Sequence, residues 1–239
     1  MPNKQSNVDI WLGRETPRVR RALESASRHF DPNSRLTVHT LEAIYGQESS
    51  FGILLGTRGS SGAAGHFQFK LDTAREYGLS VSKANDQRFD IDRTSSAAAR
   101  YLKDLNSMFN HNTRVRGESV TVAVRNPQER YKFVLGSYSG GQRRIADAQR
   151  LAEKAGKNPR SWTDVQSFLE AANPNERMAK RNAEETRQYV EKVLAHELEF
   201  MQKSPAGKDR KAKTAKKGEY RCTEGGHWVT IDDKPVYIC

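Results

Sequence analysis

Apolar residues recur every three or four positions along most of the chain up to residue 202, and this spacing is typical of amphipathic helices. The first clear example follows Thr16, a good N-cap, with Pro17 at the first helical position. Residues 1–12 show no such pattern and are predicted to form an arm, whereas the glycine- and serine-rich run 50–65 is predicted to be a loop. Further helices are predicted over residues 37–49, 66–78, 90–109, 126–140, 140–156, 161–171 and 175–202.

The pattern changes after residue 202. Residues 203–218 carry seven basic residues and one aspartate, which together supply six of the net +11 charge, and they are predicted to form a flexible basic linker. Three β-prone runs separated by turn residues follow within residues 219–239, and they read EYRC, HWVTI and PVYIC. The sequence therefore predicts a mainly α domain over residues 1–202, then the linker, then a small C-terminal β-meander.

Both cysteines of the chain, Cys222 and Cys239, lie in the predicted β module. A disulfide between them would stabilise so small a unit and would imply an oxidising compartment, whereas two free thiols are the alternative. His227 stands between the two cysteines, but zinc sites usually require four ligands at tighter spacing. We therefore predict a disulfide, no metal site and no cofactor.

Charge and hydropathy narrow the classes of partner. A net charge of +11 favours an anionic partner, such as nucleic acid, an acidic membrane or a bacterial cell wall. Most of this charge lies in the linker, which could contact anionic polymers or act only as a solvated spacer. Nothing in the pattern predicts sequence-specific binding of nucleic acid. No apolar run of about 18 residues is present, so no transmembrane segment is predicted, and the N-terminus shows no apolar signal-peptide core.

One carboxylate, Glu48, stands in the stretch YGQESSFGILLGTRGSSGAAGHFQF, on the apolar face of the predicted helix 37–49. Burial and the negative end of the helix dipole both raise the pKa of such a carboxyl group, which suits a general acid. The glycines that follow let the backbone approach a bulky ligand closely. The alternative is that Glu48 only caps the helix or pairs with Arg58 or His66, and the periodicity does not separate the two interpretations.

Four blocks in order carry a resemblance to a known family. The pair ESSFG and GAAGHFQF resembles the catalytic motif of the lytic transglycosylase (SLT) family, whose fold is lysozyme-like. The segments FDIDRTSSAAARYLKDL, VLGSYSGG and EETRQYVEKVL are similar to the later blocks of that family. The resemblance covers about 160 residues and implies a mainly α, lysozyme-like helical domain, related to goose-type lysozyme.

The resemblance implies a role for several residues. Glu48 corresponds to the catalytic acid and base of the family. Ser49 and Gln68 are expected to position this carboxyl group or the sugar, and Tyr138 is expected to form a hydrogen bond near it. Tyr189 corresponds to a tyrosine that lines the cleft, with core packing as the alternative.

The chain also departs from the family pattern. His66 and Phe67 stand where Leu and Met are usual, and His66 could enter the cleft. Phe67 is expected to bind substrate by stacking on a sugar, as Phe51 could also do, with simple packing as the alternative for both rings. Ser139 replaces the usual Asn after the tyrosine of the third block.

The implied reaction is cleavage of the β-1,4 bond between N-acetylmuramic acid and N-acetylglucosamine in peptidoglycan glycan strands, with formation of 1,6-anhydromuramic ends. A single Glu acts as acid and base, and the N-acetyl group of the substrate assists. Two alternatives remain, namely a hydrolase of the goose-type lysozyme kind and a catalytically weak protein that binds or assembles cell wall. The resemblance implies the bacterial periplasm or cell envelope, while secretion and association with a phage virion stay open.

Overall fold

The computed structural model describes residues 5–56, 62–115, 117–204, 227–231 and 234–238. The chain divides into two compact units, Met1–Ser204 and Pro205–Cys239. The first unit is mainly helical, as predicted. Its helices are α1 (Asn7–Leu12), α2 (Pro17–Ser27), α3 (Val38–Ser49), α4 (Leu71–Glu76), α5 (Ile91–Asn110), α6 (Pro127–Gly140), α7 (Gln142–Lys154), α8 (Trp162–Val165) and α9 (Ala179–Lys203), with short 3-10 turns at Gln87–Phe89, Gln166–Phe168 and Glu176–Met178.

Side-chain caps set where the main helices begin. Thr16 accepts a hydrogen bond from the amide of Val19 while Pro17 occupies the first position of α2, which confirms the predicted start. Asp90 accepts from the amides of the two residues that follow Ile91 and caps α5 in the same way. A carboxylate at this place also complements the positive end of the helix dipole.

Helix α3 lies at the centre of the first unit. Residues 39–46 of α3 are all buried, because α3 packs against α2, α5 and α9, while α6 packs against α5, α7 and α9. The largest side chains that are almost completely buried include Leu41, Ile44, Tyr45, Leu102, Leu105, Tyr131, Phe133 and Phe200. Because α3 is enclosed along this length, the core fixes the path of the helix as far as Gly46.

The structure corrects two of the predicted elements. Residues 1–12 are not simply an arm, because Asn7–Leu12 form α1, with a capping box between Ser6 and Asp9 and with Trp11 buried. The predicted helix 66–78 is only α4, and the chain before it forms a turn closed by a β-bridge between Ala64 and Phe69.

The second unit contains an antiparallel pair of strands, β1 (His227–Ile231) and β2 (Lys234–Ile238). These strands agree with two of the three predicted β-prone runs. The first run, Cys222 and Cys239 lie outside the described residues, so the meander and its disulfide stay predictions. None of the helices in the described ranges combines the length and the low polarity that crossing a lipid bilayer requires.

Candidate active site

Glu48 is half-buried in the last turn of α3, and two tyrosines from other helices lie within reach of its charge. Burial, and then the charge of Glu48, raise the pKa of the Tyr138 hydroxyl on α6 well above its usual range. The same two causes raise the pKa of Tyr189 on α9. The fold therefore brings together Glu48 and both tyrosines named by the sequence, which come from three separate blocks of the chain.

The two tyrosines lie against each other near Glu48. Their rings stack with a centroid distance of 6.3 Å and an interplanar angle of 13°. The Tyr138 hydroxyl donates a 2.8 Å hydrogen bond to the carbonyl of Phe67. Tyr189 is almost completely buried, and its ring belongs to the core cluster. Tyr189 thus combines the packing role that the sequence left open with a position beside Glu48.

The chain turns sharply directly after Glu48. Ser50, Phe51 and Gly52 have φ angles of 49°, 59° and 87°, so three consecutive residues adopt the left-handed region. The hydroxyl of Ser49 is buried, donates to the carbonyl of Tyr45 at 3.0 Å and accepts from the amide of Gly52 at 3.1 Å. Ser49 therefore holds the turn beside Glu48.

Position 52 tolerates only glycine. Besides its positive φ, a Cβ there would lie 2.5 Å from the hydroxyl oxygen of Tyr45. Together with Ser49, this close approach fixes the path of the backbone away from the end of α3. The next two residues, Ile53 and Leu54, are exposed apolar side chains that the sequence analysis did not single out.

A second turn, residues 62–69, carries Gln68. The side-chain amide of Gln68 donates to the carbonyl of Gly65 at 2.8 Å, and its own φ of 49° is left-handed. Arg88 is almost completely buried and holds both ends of this turn, because one guanidinium nitrogen donates to the carbonyl of Gly62 at 2.8 Å and of Phe69 at 3.1 Å. Sequence reasoning missed Arg88, because an arginine within the polar run NDQRFD gives no sign of burial.

The acidic, histidine and cysteine side chains of the described residues form no group of three that could hold a metal ion.

Residues 30–161 match the family described as "Transglycosylase SLT domain", and this stretch is more than half of the 239-residue chain. The chain belongs to the SLT transglycosylase domain family. The match includes α3 with Glu48 and the block that holds Tyr138, and it ends before α9, which carries Tyr189.

Three relatives of this SLT chain are each described as a membrane-bound lytic murein transglycosylase F. That of Shewanella loihica is 29% identical over 112 residues, which is 47% of this chain and 20% of the relative. That of Cronobacter sakazakii is 33% identical over 109 residues, 46% of this chain and 18% of the relative. That of Shewanella halifaxensis is 30% identical over 169 residues, 71% of this chain and 27% of the relative. The match thus spans less than a third of each relative's length.

His66 is one departure of this SLT domain from the family pattern, and the structure places it between two segments of the chain. Its Nδ1 lies 3.1 Å from the Tyr45 hydroxyl and its Nε2 lies 3.1 Å from the carbonyl of Phe89. Because a carbonyl only accepts, Nε2 carries the proton and Nδ1 accepts from the tyrosine. Burial lowers the pKa of His66, in keeping with this neutral form.

The structure corrects the sugar-stacking role expected of Phe67. Its ring is completely buried and stacks on Tyr45 with a centroid distance of 5.5 Å. Phe51 is also buried, against Trp11 and Phe200. Both rings fill the core beneath the turns, so the packing alternative applies to them. What Phe67 contributes to the site of this SLT domain is its backbone carbonyl, the acceptor for Tyr138.

Proposed function

We propose that this SLT domain is a peptidoglycan lytic transglycosylase, which cleaves the β-1,4 bond between N-acetylmuramic acid and N-acetylglucosamine and leaves 1,6-anhydromuramic ends. The observation that carries the proposal is the position of Glu48 in the last turn of α3, within electrostatic reach of Tyr138 and Tyr189. Membership of the family and the description of the relatives support the same reaction.

In the first step, Glu48 protonates the glycosidic oxygen as the bond to C1 of the muramic acid breaks. The carbonyl oxygen of the substrate's own N-acetyl group stabilises the cationic C1, which removes the need for a second enzyme carboxylate. In the second step, the Glu48 carboxylate accepts the proton of the C6 hydroxyl while that oxygen bonds to C1. No water is consumed, and Glu48 ends protonated, as it began.

The neighbouring tyrosines suit these steps. Their raised pKa values keep both hydroxyls protonated at neutral pH, so neither adds a negative charge beside Glu48. The Tyr138 proton is already donated to the carbonyl of Phe67. Tyr189 is therefore the better placed of the two to donate to Glu48 when that group is ionised between the steps. Ser49 holds the turn directly after Glu48, and Gln68 holds the turn whose Phe67 carbonyl accepts the hydrogen bond of Tyr138.

The environment of the next four acids along the chain after Glu48 also favours a single-carboxylate reaction. Asp86 forms an ion pair with Arg88 at 2.7 Å, and Asp90 caps α5. Asp72 and Glu76 are exposed on α4. A hydrolase with two carboxylates needs the second one free to hold a water molecule on the far side of the sugar. All four of these acids have other environments.

Mass spectrometry of the muropeptides released from purified peptidoglycan tests this proposal. A lytic transglycosylase releases products lacking one water, whose anhydro ends resist reduction by borohydride. Reducible muramic acid ends would instead show a lysozyme-like hydrolase. No release, together with retention of the protein on insoluble peptidoglycan, would show a wall-binding protein and overturn the enzymatic proposal.

The cell envelope is the corresponding location, because peptidoglycan is found there and the relatives are described as membrane-bound. Binding of the basic linker to anionic wall polymers stays a prediction, since residues 205–218 lie outside the described ranges. A purified second unit that bound to anionic polymers only at low salt would support this contact.

A further inference from the structure

The N-terminal helix α1 lies outside the stretch that matches the SLT family, which begins at residue 30. In the structure α1 nevertheless packs onto α9, and its side chains reach the end of α3. Two residues make these contacts, Trp11 within α1 and Arg14, which is the second residue after its end. Both contacts fall on the turn that follows Glu48.

Trp11 is buried against the last turns of α3. Its six-membered ring lies so close to Gly46 that a Cβ on this glycine would be 2.3 Å from Cε3 of the indole. The ring stacks on Phe51 with a centroid distance of 6.4 Å and an interplanar angle of 11°, and it also contacts Phe200 and His196. Trp11 therefore contacts the chain on both sides of Glu48, at Gly46 within α3 and at Phe51 in the turn.

The side chain of Arg14 binds the backbone of the same turn. The guanidinium Nη1 donates to the carbonyl of Ser50 at 3.0 Å, while the amide of Ser50 donates to the carbonyl of Gly46 at 2.9 Å. Left-handed backbone at non-glycine residues, here Ser50 and Phe51, is unfavourable and persists only where the surroundings enforce it. Arg14 and Trp11 supply part of that enforcement.

The helix that carries these residues is itself attached to α9. Lys203 donates to the carboxylate of Asp9 at 2.7 Å and to that of Glu199 at 2.6 Å. Ser6 donates to Glu199 as well. The contacts of Trp11 and Arg14 are thus made from a segment anchored on the same core as α3, which allows them to hold the turn in one place.

We propose that Trp11 and Arg14 are positioning residues for Glu48, through the left-handed turn Ser50–Gly52. The inference rests on the proposed function, in which Glu48 reacts. Helix ends fray, and Glu48 is in the last turn of α3, so its carboxyl group depends on what fixes the chain just beyond it. Small displacements of a reacting group lower the rate steeply, whereas binding of a long glycan depends on many other contacts.

Arg14→Ala provides the test, because the side chain is exposed and its loss leaves the core intact. We expect kcat on soluble peptidoglycan strands to fall about threefold to tenfold, the range of one lost hydrogen bond. KM and Tm are expected to stay close to wild type. Arg14→Lys, which keeps a donor, is expected to recover part of the loss. Arg21→Ala, which removes an exposed arginine of α2, is the matched control and is expected to change neither parameter.

Hydrogen–deuterium exchange gives a second readout that does not depend on activity. The amides of Gly52, Ile53 and Leu54 all donate to Ser49, so loosening of the turn is expected to speed their exchange in Arg14→Ala and leave it unchanged in the control. If exchange in the turn and kcat were the same in Arg14→Ala as in Arg21→Ala, the proposal would be overturned. If the wild-type protein released no muropeptides, the proposed function would fail, while faster exchange in Arg14→Ala alone would still support the structural part.

Trp11→Phe separates ring packing from stability. A phenyl ring keeps part of the stack on Phe51 but retreats from Gly46, so we expect a lower kcat and faster exchange in the turn. Val165→Ala serves as the comparison, because it removes packing from the core at α8, which lies against α6 and α7. If kcat fell in proportion to Tm in both variants, the role of Trp11 would be merely structural. That result would overturn its assignment as a positioning residue.

Discussion

The hydroxyl of Tyr138 on α6 donates a 2.8 Å hydrogen bond to the backbone carbonyl of Phe67, although the two residues are 71 positions apart. This bond attaches the turn that carries Gln68 to α6, the helix that carries Tyr138. It links two of the sequence blocks on which the resemblance to the family depends. Its donor is a side chain whose pKa is raised by burial and by the charge of Glu48, and its acceptor is a backbone oxygen.

Tyr138→Phe is expected to lower both stability and activity. The Phe67 carbonyl loses its donor, and an unsatisfied buried acceptor costs about 1 to 3 kcal/mol in the free energy of unfolding. The turn would then be free to shift, so kcat is expected to fall as well. Tyr77→Phe is the control, because that hydroxyl bonds to Asp104 on α5. If urea denaturation and kcat changed equally in both variants, Tyr138 would have no special connection with the site.

Glu48→Gln is expected to keep the fold and remove nearly all activity. The side chain is half-buried and an amide has nearly the same size, so the urea midpoint should change little. General acid–base roles contribute roughly 100- to 10,000-fold to the rate, and in the proposed mechanism one residue plays both. The measurement is the rate of muropeptide release. Glu185→Gln, on the exposed face of α9, is the matched control. More than about a tenth of the wild-type rate in Glu48→Gln would show that the acid is elsewhere.

The sequence predicted those parts of the fold that depend on local signals. The starts of α2 and α5 follow from the caps Thr16 and Asp90, and α3 follows from its apolar spacing. The location of Glu48 near the end of α3 came from the same pattern. These features need only residues within a few positions of one another, which is what a single sequence displays.

The parts that the sequence did not predict depend on distant partners. Helix α1 is six residues long and gains its burial from Trp11 against Gly46, a contact that no local pattern shows. The chain before α4 has helical spacing, yet the buried guanidinium of Arg88 binds its carbonyls in a turn. Whether the Phe67 ring faced solvent or core was likewise decided by another element, the Tyr45 ring on α3.

Gly65→Ala is expected to be strongly destabilising. A Cβ there would lie 1.9 Å from the carbonyl oxygen of Arg88, and φ is +80°. The backbone of both segments would have to move, so we expect a loss of more than about 2 kcal/mol in the free energy of unfolding. Gly156→Ala is the control, since its φ of +70° is similar but nothing stands near its Cβ. That variant should lose only about 1 kcal/mol. Equal urea midpoints would contradict the close approach at Gly65.

His66 makes the stability of the first unit depend on pH. Burial lowers its pKa below the ordinary value of 6.5, and Arg18 acts in the same direction while the Phe89 carbonyl and Asp90 act against it. The unfolded chain therefore binds the proton more readily than the folded one. The contribution of neutral His66 to the free energy of unfolding is fully present above the pKa of the unfolded chain. It is lost as the pH falls from there toward the lower pKa of the folded state. Protonation would also remove the acceptor for the Tyr45 hydroxyl.

His66→Gln is expected to reduce this pH dependence. Glutamine keeps a donor and an acceptor but does not titrate, so the fall in Tm between about pH 7.5 and about pH 5 should be smaller than in wild type. Part of the fall should remain, because burial also lowers the pKa of His196. His29→Gln, at an exposed histidine, is the matched control and should leave the profile unchanged. An unaltered profile in His66→Gln would mean that the protonated ring is tolerated between Tyr45 and Phe89, and that acid destabilises this unit through other groups.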